Sequence, residues 1–176
     1  MDCRTIRKFS SPQLTQIFKH MQVQIGITDS NRQSVATALN QVLANEVVLY
    51  QKTRNYHWNI EGSSFLELHR FYEEQYGELE EAIDDVAERI RSIGHYAQGR
   101  LADFLKSTSL LEQDYSTDRI TQMTNLLNDH ETIIRELRTL VDEFTEKFKD
   151  SGSADFVTGL MEKHEKMAWM LRSYLK

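Results

Sequence analysis

Cross-linking and chain-breaking residues are scarce in this sequence. The 176 residues include one cysteine, one proline and seven glycines. The single cysteine, Cys3, leaves no partner for an internal disulfide, which is typical of a reducing compartment, and we expect a cytoplasmic protein. Because proline and glycine are the residues that interrupt helices, their scarcity allows long helices along most of the chain.

The sequence also lacks the features of membrane and nucleic-acid binding. No apolar run is long enough to span a bilayer, and the first residues lack the apolar segment of a signal peptide. The formal net charge is −6, and the N-terminal stretch has only Arg4, Arg7, Lys8 and Lys19 as basic residues. Since phosphate binding draws on clustered Lys and Arg, we expect no membrane association and weak or absent DNA binding.

What the sequence does have is helical periodicity. Residues 1–29 show little pattern and are predicted to be a weakly ordered or variable tail, whereas residues 30–176 are predicted to form one domain. Long amphipathic helices are predicted over 30–59, from Ser64 to Gly94, from about 119, and after a break at 150–155. Their apolar stripes include Leu39, Leu49, Phe65, Leu68, Leu79, Val86, Ile120, Met123, Leu137, Leu160, Met161 and Leu171.

Two further signals refine this prediction. Ser64 followed by Glu67 has the spacing of a capping box, and Ser153 is a candidate cap for the last helix. Four amphipathic helices predict an all-α four-helix bundle. The long connection over 95–117, with one short helix in "LADFLK", predicts a crossover that makes the second and third long helices parallel.

A stripe of potential metal ligands runs along the second helix. With about 100° of rotation per residue and His69 as the origin, Glu73 lies near 40°, Asp84 near 60° and Glu88 near 100°, whereas the apolar stripe lies near −60°. The polar stripe therefore points away from the bundle's own core. Imidazole nitrogens and carboxylate oxygens together suit iron. A solvated charged face is the alternative interpretation.

One helix cannot bring these four residues to one ion. Glu73 and Asp84 are separated by about 16 Å of helical rise. If the second helix packs antiparallel against a copy of itself, the histidine end of one chain faces the acidic end of the other, and two identical sites form. His57, at the end of the first helix, adds a second nitrogen. Gly77, near 80° on the same scale, suggests a close approach of the two helices.

The stretch "HWNIEGSSFLELHRFYEE", followed by "IDDVAERI", resembles the Dps family of mini-ferritins. "HEKMAWMLR" near the C-terminus is similar to the family's last helix. The resemblance implies a ferritin-like bundle, assembled as a dodecamer from two-fold dimers, that oxidises Fe(II), preferably with hydrogen peroxide, and stores Fe(III) mineral. It therefore implies a ferroxidase that protects against oxidative damage.

The resemblance also implies the ligands. His57, His69 and Glu73 of one subunit and Asp84 and Glu88 of its two-fold mate would hold two irons per intersubunit site, with Trp58 beside it. Many members of the family have aspartate where this chain has Glu73, and the extra methylene shifts the reach of the oxygen that serves the second iron.

Other constellations give alternative interpretations. In the family, acids in this region line iron-entry pores, so the resemblance makes Asp150 and Asp155 pore candidates; helix capping by Asp is the competing role. Glu46, His130 and His164 lie on or near apolar stripes and could form a metal site inside the bundle; hydrogen-bonded core residues are the favoured interpretation. A non-catalytic helical adaptor and a mainly DNA-binding, nucleoid-associated protein are the alternative functions.

Overall fold

The computed structural model describes residues 23–176, and the elements in this range are helical. They are α1 Asp29–Asn59, α2 Phe65–Ser92, α3 Leu101–Ser107, α4 Arg119–Asp142 and α5 Ser151–Tyr174. The predicted all-α bundle with a short helix between the second and third long helices is confirmed. Of the predicted tail, residues 1–22 lie outside the described residues. Among the helices described, none combines the length and apolar character of a bilayer-spanning segment.

Contacts between helices show their directions. Residues early in one helix meet residues late in its neighbour between α1 and α2, between α2 and α5, and between α4 and α5. The pairs are Tyr50 with Tyr76, Tyr56 with Tyr72, Gln75 with Met167, Arg89 with Ser153, Glu131 with Arg172 and Arg138 with Glu165. These neighbours are antiparallel, so α2 and α4 run parallel, which confirms the predicted crossover.

Polar side chains of α1 fasten the crossover connection to the bundle. Asn45 Oδ1 accepts a hydrogen bond from the Thr108 hydroxyl at 2.8 Å. Lys52 Nζ donates to the Leu111 carbonyl at 2.6 Å and forms a buried ion pair with Asp129 of α4. Since a buried ammonium needs both a charge partner and hydrogen bonds, these contacts fix the path of the connection across α1.

The predicted apolar stripes form the core, with two exceptions. Leu39, Leu79 and Leu137 are completely buried. Phe65 and Ile120, which were also predicted to lie on core stripes, are each 44% exposed. Both predictions were wrong because these residues occupy the first turn of α2 and α4, where periodicity does not reveal that the bundle ends.

The capping prediction for α2 is correct in position only. Ser64 is the N-cap residue, but its side chain makes no capping hydrogen bond. Glu67, the other member of the predicted capping box, accepts a hydrogen bond from the Tyr174 hydroxyl at 2.9 Å. The spacing marked the start of the helix, whereas the carboxylate binds the far end of α5.

The capping prediction for α5 was wrong by three residues. The cap is Asp150, whose Oδ1 accepts from the Ser153 N–H at 2.9 Å and whose Oδ2 accepts from the Ser153 hydroxyl at 2.6 Å. Arg89 of α2 lies 3.2 Å from the same carboxylate, which is 2% exposed. The chain reaches this cap through a π-helical turn, Glu143–Lys147, and Lys149 in a left-handed conformation with φ 56°.

We expect Asp150→Ala to lower the free energy of unfolding by about 2 kcal/mol, because it removes a helix cap and the partner of a half-buried guanidinium. Asp150→Asn keeps an oxygen that accepts from Ser153 and should lose about half as much. Denaturant unfolding followed by circular dichroism measures both changes. Equal losses in the two variants would contradict a capping role.

Candidate metal centre

Two histidines meet where α1 ends and α2 begins. The imidazole rings of His57 and His69 stack with centroids 3.7 Å apart and 19° between their planes. His57 Nδ1 lies 2.7 Å from the His69 carbonyl oxygen, and His69 Nδ1 lies 2.8 Å from the His57 carbonyl oxygen. The pair therefore joins the two helices by reciprocal hydrogen bonds as well as by stacking.

These hydrogen bonds select the metal-binding tautomer. A carbonyl oxygen can only accept, so Nδ1 of each neutral ring carries the proton and Nε2 keeps its lone pair. Backbone carbonyls in this role are the usual outer partners of metal-ligating histidines, because they fix the orientation of the ring. His57 is 8% exposed, so its ring has little freedom to turn away. Both rings are thus suited to donate Nε2 to a cation.

Aromatic side chains surround the histidine pair. Phe65 stacks on the outer face of His69 with centroids 5.1 Å apart, which accounts for its exposed position at the start of α2. Tyr76 meets His57 edge-on at 5.3 Å. The guanidinium of Arg54 lies over the rings of Trp58 and Tyr76 at 5.1 and 5.6 Å. Of these aromatic residues, only Trp58 was predicted to lie beside the site, because the others fit ordinary helix stripes.

The predicted carboxylates are exposed on the outer face of α2. Glu73, Asp84 and Glu88 are exposed, and none of them takes part in the ion pairs of residues 23–176. Glu73 is close enough to Tyr76 to affect it: partial burial and the Glu73 charge both raise the pKa of the Tyr76 phenol. Glu73 therefore belongs to the histidine end of the helix.

A single chain brings only part of the predicted ligand set together. Within residues 23–176, no group of three or more His, Cys, Asp and Glu side chains is placed to hold a metal ion. His57 and His69 meet directly, whereas Asp84 and Glu88 lie about three and four turns beyond Glu73 along a continuous helix. The geometry matches the predicted separation of nitrogen and oxygen donors.

Gly77 lies between the two ends of this stripe. A Cβ atom added at Gly77 would meet nothing within 4 Å. Glycine inside a helix costs about 1 kcal/mol relative to alanine. The packing of residues 23–176 supplies no reason for that cost, which leaves the predicted approach of a second helix as the explanation to test.

The two pore candidates occupy different environments. Asp150 is buried and holds the cap and ion pair described above, so its oxygens are engaged within the chain. Asp155 is exposed one turn into α5. Of the two roles that the sequence allowed, the contacts of Asp150 correspond to capping, and the pore role of Asp155 stays a prediction.

The histidines inside the bundle form a separate cluster. Glu46, His130 and His164 are completely buried and hydrogen-bonded to one another, as the favoured interpretation expected. His164 Nε2 lies 2.9 Å from Glu46 Oε1, and its Nδ1 lies 2.9 Å from His130 Nδ1. Glu46 and His130 therefore bind opposite edges of the His164 ring.

Comparisons with known proteins agree with the fold. A family model described as a ferritin-like domain matches residues 36–176. The chain is 46% identical over 156 residues to an uncharacterized low temperature-induced protein of Nostoc sp., which covers 88% of this chain and 87% of the relative. It is 35% identical over 147 residues to the DNA protection during starvation protein of Brevibacillus brevis, covering 84% of this chain and 98% of the relative.

Solved structures give the same result. The Dps protein of Vibrio cholerae O1, described as a member of a broad superfamily of ferritin-like diiron-carboxylate proteins, superposes with a TM-score of 0.84 at 34% identity. The match covers 88% of this chain and 97% of that structure. A Dps protein from Bacillus brevis gives a TM-score of 0.79 at 36% identity, over 85% and 100% of the two chains.

The fold and the family match together define a ferritin-like protein. Within that class, the chain belongs to the Dps family. Membership supports iron storage and oxidation of Fe(II) as the general function, with iron as the metal handled.

A substitution at His69 can separate the structural role of the ring from its predicted metal-binding role. Asparagine places an amide N–H where Nδ1 stood but offers nothing in place of Nε2. We expect His69→Ala to lower the free energy of unfolding by about 2 kcal/mol, and His69→Asn by about half of that, because the hydrogen bond to His57 is kept. Denaturant unfolding measures the difference. If asparagine were as destabilising as alanine, the Nδ1 hydrogen bond would not join the helices.

Proposed function

We propose that this protein is a ferroxidase that stores iron and whose di-iron sites form between two subunits. The observation that supports this best is the histidine pair, with both Nε2 lone pairs free to ligate, at one end of a helix whose other end presents exposed carboxylates. A two-fold partner with antiparallel α2 would set its Asp84 and Glu88 opposite His57, His69 and Glu73.

A homo-oligomer follows from this arrangement, and the surface supports it. Large apolar side chains of α1, α3 and the crossover connection are exposed: Trp58, Leu101, Leu105, Leu111 and Tyr115. Several of them line a groove of about 600 Å³. Exposed apolar patches of this kind mark interaction surfaces. We propose that two-fold dimers associate further into a dodecameric shell in the cytoplasm, with Asp155 near an entry pore.

The proposed reaction has a simple balance. Two Fe(II) ions are the electron donors, and each loses one electron. One hydrogen peroxide molecule takes both electrons and two protons, its O–O bond breaks, and two water molecules form. Paired donors avoid the one-electron route to hydroxyl radical. Imidazole-rich, carboxylate-poor ligation would hold one iron firmly and leave the other position, which Glu73 serves, weaker and exchangeable.

Protection of DNA needs no contact with DNA in this proposal. Removal of Fe(II) and peroxide prevents the damaging chemistry itself. The net charge of −6 disfavours phosphate binding by the protein. We therefore propose that any DNA binding is weak and secondary.

Complementation between two inactive variants tests the shared site. We expect His69→Asn and Asp84→Asn each to lose most peroxide-dependent Fe(II) oxidation. When the two variants are unfolded together in equal amounts and reassembled, about half of the dimers should contain one chain of each variant. Each of these mixed dimers has one intact site of its two, so about a quarter of wild-type activity should return. The readout is the rate of Fe(III) formation.

Glu81→Gln is the matched control, because it neutralises another exposed carboxylate of α2 outside the proposed ligand set and should keep full activity. If the mixture stayed inactive while the refolded wild type recovered, each site would belong to one chain and the shared-site proposal would fail.

The ratio of iron to oxidant is a second expected outcome. Under anaerobic conditions, added peroxide should oxidise two Fe(II) ions per molecule consumed, since both electrons pass to the same oxidant. Titration of Fe(II) against peroxide, with hydroxyl radical followed by a spin trap, measures this. A one-to-one ratio with radical release would be incompatible with paired irons.

A further inference from the structure

The Glu46–His130–His164 cluster is not used by the proposed iron chemistry. Its members come from α1, α4 and α5 and are completely buried. His164 bridges the other two, with 2.9 Å to Glu46 Oε1 at one ring edge and 2.9 Å to His130 Nδ1 at the other. Three titratable groups thus form one continuous hydrogen-bonded chain across the bundle interior.

The number of protons on the Glu46–His130–His164 cluster determines the net charge of the cluster. If Glu46 is ionised and both rings are neutral, His164 donates from Nε2 to Glu46 and accepts from His130 at Nδ1, and a net negative charge is buried. With one more proton, shared between Glu46 and His164, His164 donates at both edges and the cluster is neutral. With two more protons than in the first state, the cluster carries a net positive charge. Burying a net charge in a protein core costs several kcal/mol, so the neutral state with one shared proton is favoured.

Neighbouring charges do not alter this balance. The buried residues of α2 are Leu68, Phe71, Tyr72, Gln75, Leu79, Ala82, Val86 and Ile90, so this helix adds no buried acid or base that is ionised near neutrality. The other buried ion pair between α1 and α4, Lys52 with Asp129, is compensated within itself. Burial raises the pKa of Asp129, and Lys52 opposes that rise.

His130 lies at one end of the hydrogen-bonded chain and cannot accept the second proton in the folded protein. Its Nε2 has no hydrogen-bond partner among the described residues. Burial, and then the neighbouring His164, hold the pKa of His130 well below its ordinary value. In an unfolded chain the same ring would titrate near its unperturbed pKa of about 6.5.

We propose that Glu46, His130 and His164 hold one shared proton in the folded protein and make the bundle acid-sensitive, because a second proton is taken up only when the helices separate. His130 is the group whose folded-state pKa is depressed. The contribution of His130 to the free energy of unfolding is therefore fully present above about pH 6.5 and is lost as the pH falls below that value.

Proton counting gives a sharp test with the full-length chain. Near pH 5.5 the wild-type cluster should gain about one proton on unfolding. His130→Asn keeps a hydrogen-bonding group at the Nδ1 position but cannot titrate, so the cluster of this variant should take up almost no proton on unfolding. Glu46→Gln removes the charge that retains the shared proton, so the cluster of this variant should gain about two protons on unfolding. Each proton changes the unfolding equilibrium constant tenfold per pH unit.

The measurement is the slope of unfolding free energy against pH between 5 and 6, from denaturant titrations at one protein concentration and with chelator present. Leu126→Ala is the control. It removes a completely buried apolar side chain from α4, one turn from His130, and should lower stability equally at every pH.

Several results would overturn the proposal. The slope of His130→Asn could equal that of the wild type, or Glu46→Gln could fail to steepen it. Loss of folding by His130→Asn at pH 7.5 also counts against it, because this variant keeps the neutral core. Finally, if Zn(II) raised the unfolding midpoint of the wild type but not of His130→Asn, the cluster would be a metal site instead.

Discussion

The proposed chemistry of this protein depends on two reciprocal hydrogen bonds at the junction of α1 and α2. Each of His57 and His69 donates Nδ1–H to the backbone carbonyl of the other, at 2.7 and 2.8 Å. The bonds close the turn between the helices and at the same time fix which ring nitrogen keeps its lone pair. The structural role of the pair and its proposed metal-binding role are therefore served by different nitrogens of the same rings.

A second constraint is the straightness of α2. A continuous helix separates residues by about 1.5 Å each, so donors at its two ends cannot reach one ion. In the proposed function, the histidine end and the acidic end become one site only in a symmetric pair of chains. Catalysis would then depend on assembly, and Fe(II) would be oxidised only where a storage shell is being built.

The bundle interior shows a different use of histidine. The ferritin-like architecture can place metal ligands in the core between helices. Here the corresponding space holds Glu46, His130 and His164 in one hydrogen-bonded chain, and within residues 23–176 they are not placed as a metal-binding group. In the proposed function, iron chemistry lies at the subunit interface while the core keeps a polar, proton-holding cluster.

Much of this could be predicted from the sequence, and the reasons are specific. Helical periodicity, the scarcity of proline and glycine, and the length of the crossover determined the four-helix bundle and its parallel α2 and α4. The rotation of His69, Glu73, Asp84 and Glu88 away from the apolar stripe also follows from helix geometry alone. These features depend on residues close together along the chain.

Contacts between distant segments were decided only by the tertiary structure. The cap of α5 is Asp150 and not Ser153 because a π turn and Arg89 of another helix position it. The Nδ1 bonds of His57 and His69, and the Phe65 ring stacked beside them, require that two helix ends meet at a defined distance. Sequence pattern reports which face a residue occupies, whereas hydrogen-bond partners and tautomers depend on where that face is placed in space.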